Sequence, residues 1–210
     1  MTQLPRPAAL LTDMDGTLVD TERAWLDVVG RLLGDTAGLD AFAGLTIQDA
    51  ARRIVDEGRT ALSYARTAAW LDGEFSAAVG AGVRVQPGAL ALLDGARALG
   101  VPVALVTASE RHVAERVLEV LGAERFSASV TNGETVRGKP HPDPYLAAAA
   151  ALRVAPEECL AVEDTPTGVA AAVAAGCRVL AVPSVPGIVA GPRTTVVASL
   201  EEVSLGRLPG

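Results

Sequence analysis

The chain has 210 residues, half of them apolar, with a formal charge of −7 and a pI near 4.9. That length and apolar content support a substantial core and argue against disorder. The acidity disfavours nucleic acid or an anionic membrane as principal partner, since both need a basic surface; no apolar run reaches the length of a membrane span and no signal-type segment opens the chain, so a cytoplasmic setting is expected.

The first element is a short apolar strand that ends in Leu11-Thr12-Asp13-Met14-Asp15-Gly16-Thr17. Two carboxylates one residue apart at a buried strand tip are either turn residues feeding a glycine or ligands of a hard divalent ion such as Mg²⁺, because an unpaired buried charge loses several kcal/mol of solvation, to order of magnitude. Helical spacing follows: Trp25, Val28, Val29, Leu32 and Leu33 share one face. After a turn-rich Gly34–Gly44 stretch, Thr46 with Asp49 predicts a capped helix whose apolar side is Ile47, Ala50, Ala51, Ile54 and Val55. A third helix is expected over Ala61–Val79, with Leu62, Ala65, Ala69, Phe75 and Val79 facing inward. Nothing in 20–84 alternates like a strand, so this run reads as an inserted helical cap between the two parts of a core, 1–19 and 85–210.

From Val85 onward strands alternate with helices. Pro87 opens a helix with Leu90, Leu93 and Ala96 inward and Gly100 as its stop. The strand Pro102–Val106 ends in Thr107-Ala108-Ser109, and a helix carrying Val113, Val117, Val120 and Leu121 closes at Gly122. A short strand at Ala128–Thr131 precedes the stiff, proline-rich Gly138–Pro144 loop with Lys139, then an Ala-rich helix over Tyr145–Leu152. The strand Cys159–Val162 ends in Glu163-Asp164, Thr165-Pro166 opens a helix closed by Gly176, and strands follow at Arg178–Val182 and at Thr195–Ala198. This alternation predicts an α/β fold, a Rossmann-like parallel sheet with helices on both faces, in which ligands sit at the carboxyl ends of the strands. Cys159 and Cys177 lack metal-type spacing and read as small buried hydrophobes. His112 and His141 read as helix-face and loop residues.

Three strand ends carry unusual polar groups, and with the lysine loop they form Asp13-Met14-Asp15-Gly16-Thr17, Thr107, Lys139 and Glu163-Asp164 in order. This pattern resembles the haloacid dehalogenase superfamily, in its phosphatase branch with a helical cap like that of β-phosphoglucomutase and phosphoglycolate phosphatase. One departure is Thr12, where the family commonly has an aromatic residue. The resemblance implies an Mg²⁺-dependent phosphatase that hydrolyses a small phosphorylated metabolite. Asp13 would be the nucleophile, giving an aspartyl phosphate, and Asp15 the general acid and base. Mg²⁺ would be held by Asp13, the Asp15 backbone carbonyl and Asp164, with Glu163 binding directly or through water. Thr107, with the backbone around Met14, Ala108 and Ser109, would bind phosphoryl oxygens, and Lys139 would place a fixed charge on the transferring group.

Lys139 is the only lysine in the chain, which favours a specific role over mere pairing with Glu163 or Asp164. Arg52 and Arg53 in the cap could meet an anionic substrate or line a solvated face. Dehalogenation needs no acid for a leaving alkoxide, whereas Asp15 is present; phosphonate hydrolysis in the resembling enzymes uses a cap lysine, and this cap has none. Phosphohexomutase chemistry is the main alternative, and a non-catalytic binding module on the phosphatase fold is an alternative of another class. The mutase branch has a His, an Arg and a Lys in its cap; the matching positions of the first two are Trp25 and Ile47 here. Oligomeric state is left open by the sequence.

Overall fold

The strand that carries the acid pair, β2 (Ala9–Thr12), is fully buried along its length. A strand buried on both faces reads as a continuous apolar run, as this one does up to Thr12. The coordinates are a computed structural model describing residues 2–206. They divide into two compact units, the residues up to Val19 together with those from Val85 onward, and Asp20–Arg84.

In the first unit β2 lies inside a six-stranded sheet with β5 (Val103–Val106), β6 (Ala128–Val130), β7 (Cys159–Glu163), β8 (Arg178–Ala181) and β9 (Thr194–Val196), in the order β6-β5-β2-β7-β8-β9. All the pairings are parallel, and Leu10 faces both Val103 of β5 and Leu160 of β7 in register. Strand order therefore runs outward from β2 in both directions, which makes the carboxyl end of β2 the switch point where a crevice opens. Side chains of Ala9, Leu11, Ala104, Val106, Ala161 and Val179 form one core with α6 (Asp143–Leu152) and α7 (Pro166–Ala174). The alternate residues Leu10, Leu105, Val162 and Leu180 are equally buried. Right-handed crossovers put α4 (Ala89–Ala98) and α5 (Arg111–Leu121) on that second face. A separate parallel pair, β1 (Thr2–Leu4) with β10 (Val203–Leu205), was not expected from sequence. The two-residue strands β3 (Val19–Asp20) and β4 (Arg84–Val85) stand at the two crossings between the units.

Several boundaries differ from the sequence reading. Helix α4 begins at Ala89, because a left-handed Gly88 (φ 83°) follows Pro87; its buried residues are Ala89, Leu92, Leu93 and Ala96, and Leu90 is exposed. In α5 the buried face is Val113, Ala114, Val117 and Leu121, and Val120 is 46% exposed. Helix α6 starts two residues before the expected Tyr145, at Asp143 with Pro144 in its first turn, a position that needs no donated N–H.

The second unit contains α1 (Glu22–Leu33), α2 (Ile47–Asp56) and α3 (Tyr64–Ala81). Thr46 caps α2 as its spacing predicts: its hydroxyl accepts from Asp49 N at 3.1 Å and donates to the Asp49 carboxylate at 2.8 Å. Helix α3 starts only at Tyr64, so Leu62 lies outside it. Its buried stripe is Thr67, Leu71, Phe75 and Val79, a strict four-residue repeat, while Ala65 and Ala69 are exposed. The turn-rich stretch is anchored: Phe42 is fully buried, its carbonyl accepts from the Trp25 indole at 2.9 Å, and Trp25 packs edge-on to Phe75 at 5.6 Å. Arg53 is committed to this packing through the Ala41 carbonyl (2.8 Å), Glu57 (2.9 Å) and the Phe42 ring (5.2 Å).

The phase of α5 gives a direct test. Leu121→Ala should cost about 2–5 kcal/mol by opening a cavity, while Val120→Ala at the neighbouring position should stay within about 0.5 kcal/mol of wild type, both measured by urea unfolding.

Candidate active site

Beyond Thr12 the β2 ladder continues for one more bond, Asp13 N to Val162 O at 2.9 Å, which seats Asp13 between the ends of its neighbours at 6% exposure. The backbone then folds back on itself. Leu18 N and Val19 N both donate to the Met14 carbonyl, and Gly16 N donates to Val19 O. Gly16 is required twice over: its φ is 82°, and a Cβ there would stand 2.0 Å from Asp164 Oδ2. The Thr17 hydroxyl donates to Asp164 Oδ1 at 3.2 Å, and Ser184, beyond the end of β8, donates to Asp164 Oδ2 at 2.5 Å.

The tip of β5 supplies hydroxyls. Thr107 and Ser109 both donate to Asp15 Oδ2, at 2.9 and 2.8 Å, while Thr107 Oγ1 accepts from Ser109 N at 2.9 Å. Ala108 is exposed at the turn between them, and the Met14 side chain is fully buried, so Met14 offers the site only backbone. Thr12 is buried with its hydroxyl directed at the Ala104 carbonyl, 3.4 Å away.

Lys139 reaches into the middle. Its Nζ donates to Asp13 Oδ1 (2.6 Å), Glu163 Oε1 (2.7 Å) and the Val106 carbonyl (2.9 Å), with the side chain only 7% exposed. The pairing with Glu163 considered from sequence is present, and Asp13 joins it. Tyr145, unexpected from sequence, donates its hydroxyl to the same Glu163 oxygen at 2.6 Å. Glu163 Oε2 accepts from Asp164 N at 3.3 Å.

Charges in this site are strongly coupled. Burial opposes the Lys139 ammonium, but Asp13 and Glu163 outweigh it and its pKa is raised. Burial raises the Glu163 carboxyl; Lys139 opposes this and Asp13 adds to it. Burial, then repulsion from Asp13, pushes Asp164 up to about 8, against the stabilising Ser184 hydroxyl. Tyr145 is raised well above the usual phenol range by burial and by Glu163. Asp13, Glu163 and Asp164 each place one carboxylate oxygen within 4.8 Å of the others, a grouping able to hold a metal ion. The Asp15 carboxylate lies outside that grouping, its Oδ2 turned to Thr107 and Ser109.

Sequence reasoning singled out neither Tyr145, Ser184, Thr17 nor Gly168 as site residues. Thr17 sits inside the first motif, and Ser184 follows a strand end as the other polar groups do, so both carried a usable signal. Tyr145 in an Ala-rich helix looked like any apolar position. Cys159 and Cys177 are free, buried thiols, with pKa values pushed up by burial to about 11 and about 12, which makes them inert hydrophobes. His141 is an exposed loop residue.

Comparison with known proteins gives the family. Residues 7–176 match the family of haloacid dehalogenase-like hydrolases. Hexitol phosphatase A of Escherichia coli K12 is 36% identical over 188 residues, covering 84% of this chain and 83% of the relative. Fructose-1-phosphate phosphatase YqaB of the same organism is 33% identical, covering 81% and 94%. The crystal structure of CbbY from Rhodobacter sphaeroides in complex with phosphate superposes with a TM-score of 0.82 at 24% identity, covering 93% of this chain and 96% of that one, a likeness of fold. With a family match over most of the chain and relatives at this identity over most of both lengths, the chain belongs to the haloacid dehalogenase-like hydrolases.

Proposed function

We propose that this chain hydrolyses a small phosphomonoester, with Mg²⁺, through an aspartyl phosphate formed on Asp13. The observation that carries the reading is the state of the Asp13 carboxylate. Oδ1 is fixed by Lys139, while Oδ2 is buried with no hydrogen-bond partner, so one oxygen is oriented and the other has no protein donor. A buried carboxylate oxygen with no donor is costly, and the site places three buried carboxylates, Asp13, Glu163 and Asp164, around one ammonium. That excess of negative charge and the all-oxygen donor set fit a hard divalent cation. Asp13, Asp164 and the Asp15 carbonyl would hold it, with Glu163 at the margin because both its oxygens already accept protein donors. When bound, the ion offsets the repulsion between the carboxylates and an anionic phosphoryl group.

The chain's own residues do the rest. An Asp13 oxygen bonds to phosphorus as the phosphorus–oxygen bond to the leaving group breaks, and Asp15 gives that oxygen a proton. Water, losing a proton to Asp15, then attacks phosphorus; the bond to Asp13 breaks and orthophosphate leaves. Thr107 and Ser109 now donate to Asp15, and each hydroxyl has one proton to give. A phosphoryl oxygen that takes either proton loosens the hold on Asp15, so substrate binding and release of the acid–base group are linked.

Hydrolysis is favoured over mutase chemistry by the helical unit, which we read as a cap domain that selects substrate. At the mutase histidine position stands Trp25, 5% exposed with its N–H spent on the Phe42 carbonyl, and Arg53 is consumed by Glu57 and Ala41. Neither Trp25 nor Arg53 is free to grip a second phosphate, and Ile47 at the mutase arginine position is apolar; of the cap arginine pair only Arg52 keeps an exposed charge. Two of the phosphatases similar to this chain, those described above, are named for a hexitol phosphate and for fructose 1-phosphate, so sugar and polyol phosphates head the proposed substrates. Among the described residues no helix is long and apolar enough to cross a membrane, and the proposed setting is cytoplasmic.

Asp13→Asn should abolish covalent labelling by a phosphoryl donor, whereas Asp15→Asn should retain labelling from a donor with a good leaving group and slow turnover roughly 10²–10⁴-fold; equal labelling of wild type and Asp13→Asn refutes the nucleophile. Assay of a sugar and polyol phosphate panel with Mg²⁺ and with chelator should show phosphate release that chelator abolishes, and from β-glucose 1-phosphate with a trace of the 1,6-bisphosphate it should outpace formation of glucose 6-phosphate. In chelator, Asp164 binds its proton more tightly folded (about 8) than unfolded (3.8). The folded state then holds more protons across that window, so stability should decline as pH rises from about 4 to about 8, and Asp164→Asn should flatten the decline, read by urea unfolding along a pH series.

A further inference from the structure

We propose that Tyr145 is a positioning residue for the reaction, acting through Glu163 to fix the Lys139 ammonium; what Lys139 does in turn rests on the function proposed above. A buried tyrosine needs a partner for its hydroxyl, and a satisfied core phenol would explain a single hydrogen bond. The surroundings of Glu163 ask for more than that.

The oxygen that Tyr145 chooses is the one that holds Lys139. Glu163 Oε1 accepts from Tyr145 at 2.6 Å and from Lys139 at 2.7 Å, and the tyrosine ring lies 5.3 Å from the ammonium. The opposite wall is backbone. A Cβ on Gly168 of α7 would fall within 2.0 Å of the Glu163 carboxylate, so the carboxylate occupies the space that a side chain at 168 would need. Hydroxyl from α6 on one side and bare backbone of α7 on the other leave the Glu163 torsions little freedom.

Charge explains why the donor is a phenol. Glu163 sits beside Asp13 and Asp164, whose repulsion favours swinging its carboxylate away from Lys139. A second cation would hold it but would compete with Lys139 as its counter-ion. The neutral tyrosine hydroxyl supplies a strong hydrogen bond to the carboxylate and leaves the ammonium as the one positive charge between Asp13 and Glu163. Phenylalanine would fill the same volume without this function.

Because the chain has one lysine, protein grown with isotope-labelled lysine gives a single side-chain ammonium resonance, which reports Lys139 without substrate. Tyr145→Phe should shift that resonance and speed its proton exchange, measured well below the melting temperature. It should also lower kcat with p-nitrophenyl phosphate and Mg²⁺ by roughly 10- to 100-fold, the loss of one hydrogen bond to a charged group, with KM within about twofold. Gly168→Ala, which displaces Glu163 from the other side, should move the resonance and kcat in the same directions. The proposal is overturned if Tyr145→Phe leaves the lysine resonance unchanged, or if it lowers only the melting temperature while kcat holds. If wild type turns over no phosphomonoester, the proposed function fails separately, and the resonance still decides whether Tyr145 fixes Lys139.

Discussion

The arrangement depends on one imbalance, three carboxylates buried around a single ammonium. Removing an ion from water costs several kcal/mol even after relaxation, to order of magnitude, so such a cluster persists only where the fold holds its members rigidly. The sheet does this by placing β2 between β5 and β7. Those neighbours bring Thr107 and Ser109 to one side of the first acid pair and Glu163 with Asp164 to the other. Close approach is bought with missing side chains: Gly16 admits the Asp164 carboxylate and Gly168 admits that of Glu163. Hydroxyls from Thr17, Ser184 and Tyr145 then satisfy oxygens that no strand reaches.

Much of this is legible in the sequence, because the polar groups break apolar strands and a strand of four or five residues has few ways to misalign. Asp13, Thr107, Glu163 and Asp164 were placed at strand ends by that rule alone. Helix phase was harder. Val120 and Leu90 fit an apolar pattern as well as their neighbours do, and only packing against the rest of the fold decides which side of a broad apolar stripe turns inward. The left-handed Gly88 moved one start, and Ser63 before α3 moved another. The pairing of β1 with β10 joins the two ends of the described chain through three residues each, too few to leave a local pattern. Tyr145 was missed for a different reason: its importance lies in a partner 18 residues away on another element, and nothing in the helix that bears it marks the contact.

In the helical unit the same logic assigns the arginines. Phe42 is flanked by two guanidinium groups, Arg53 at 5.2 Å and Arg59 at 5.8 Å from its ring centre, and Arg59 also meets Asp35 at 3.4 Å. These cations shield a fully buried aromatic in a segment with little regular structure, so their charge is already used. Arg52 differs. It lies over Tyr64 at 5.9 Å and reaches Asp49 only at 4.0 Å, with its side chain 65% exposed, a contact worth little in water. Two adjacent arginines that looked alike in sequence are therefore unlike in commitment, and Arg52 is the one whose charge is open to an anion.

The lone lysine can be understood from donor geometry. Of 18 basic residues in the chain, only residue 139 is lysine, and its ammonium meets three acceptors, Asp13 Oδ1, Glu163 Oε1 and the Val106 carbonyl. An ammonium has three N–H groups radiating from one point, whereas a guanidinium spreads five around a plane; three acceptors gathered about one atom suit the former. With all three protons engaged, a phosphoryl oxygen can be received only by exchange. Glu163 is held by Tyr145 and the Val106 carbonyl is held by the sheet, so the acceptor best placed to yield is Asp13. On the proposed reaction that exchange has a chemical use: as an Nζ–H turns from Asp13 Oδ1 to the phosphoryl oxygen, the proton staying on nitrogen, the nucleophile is relieved of a hydrogen bond that damps its charge while its target gains one.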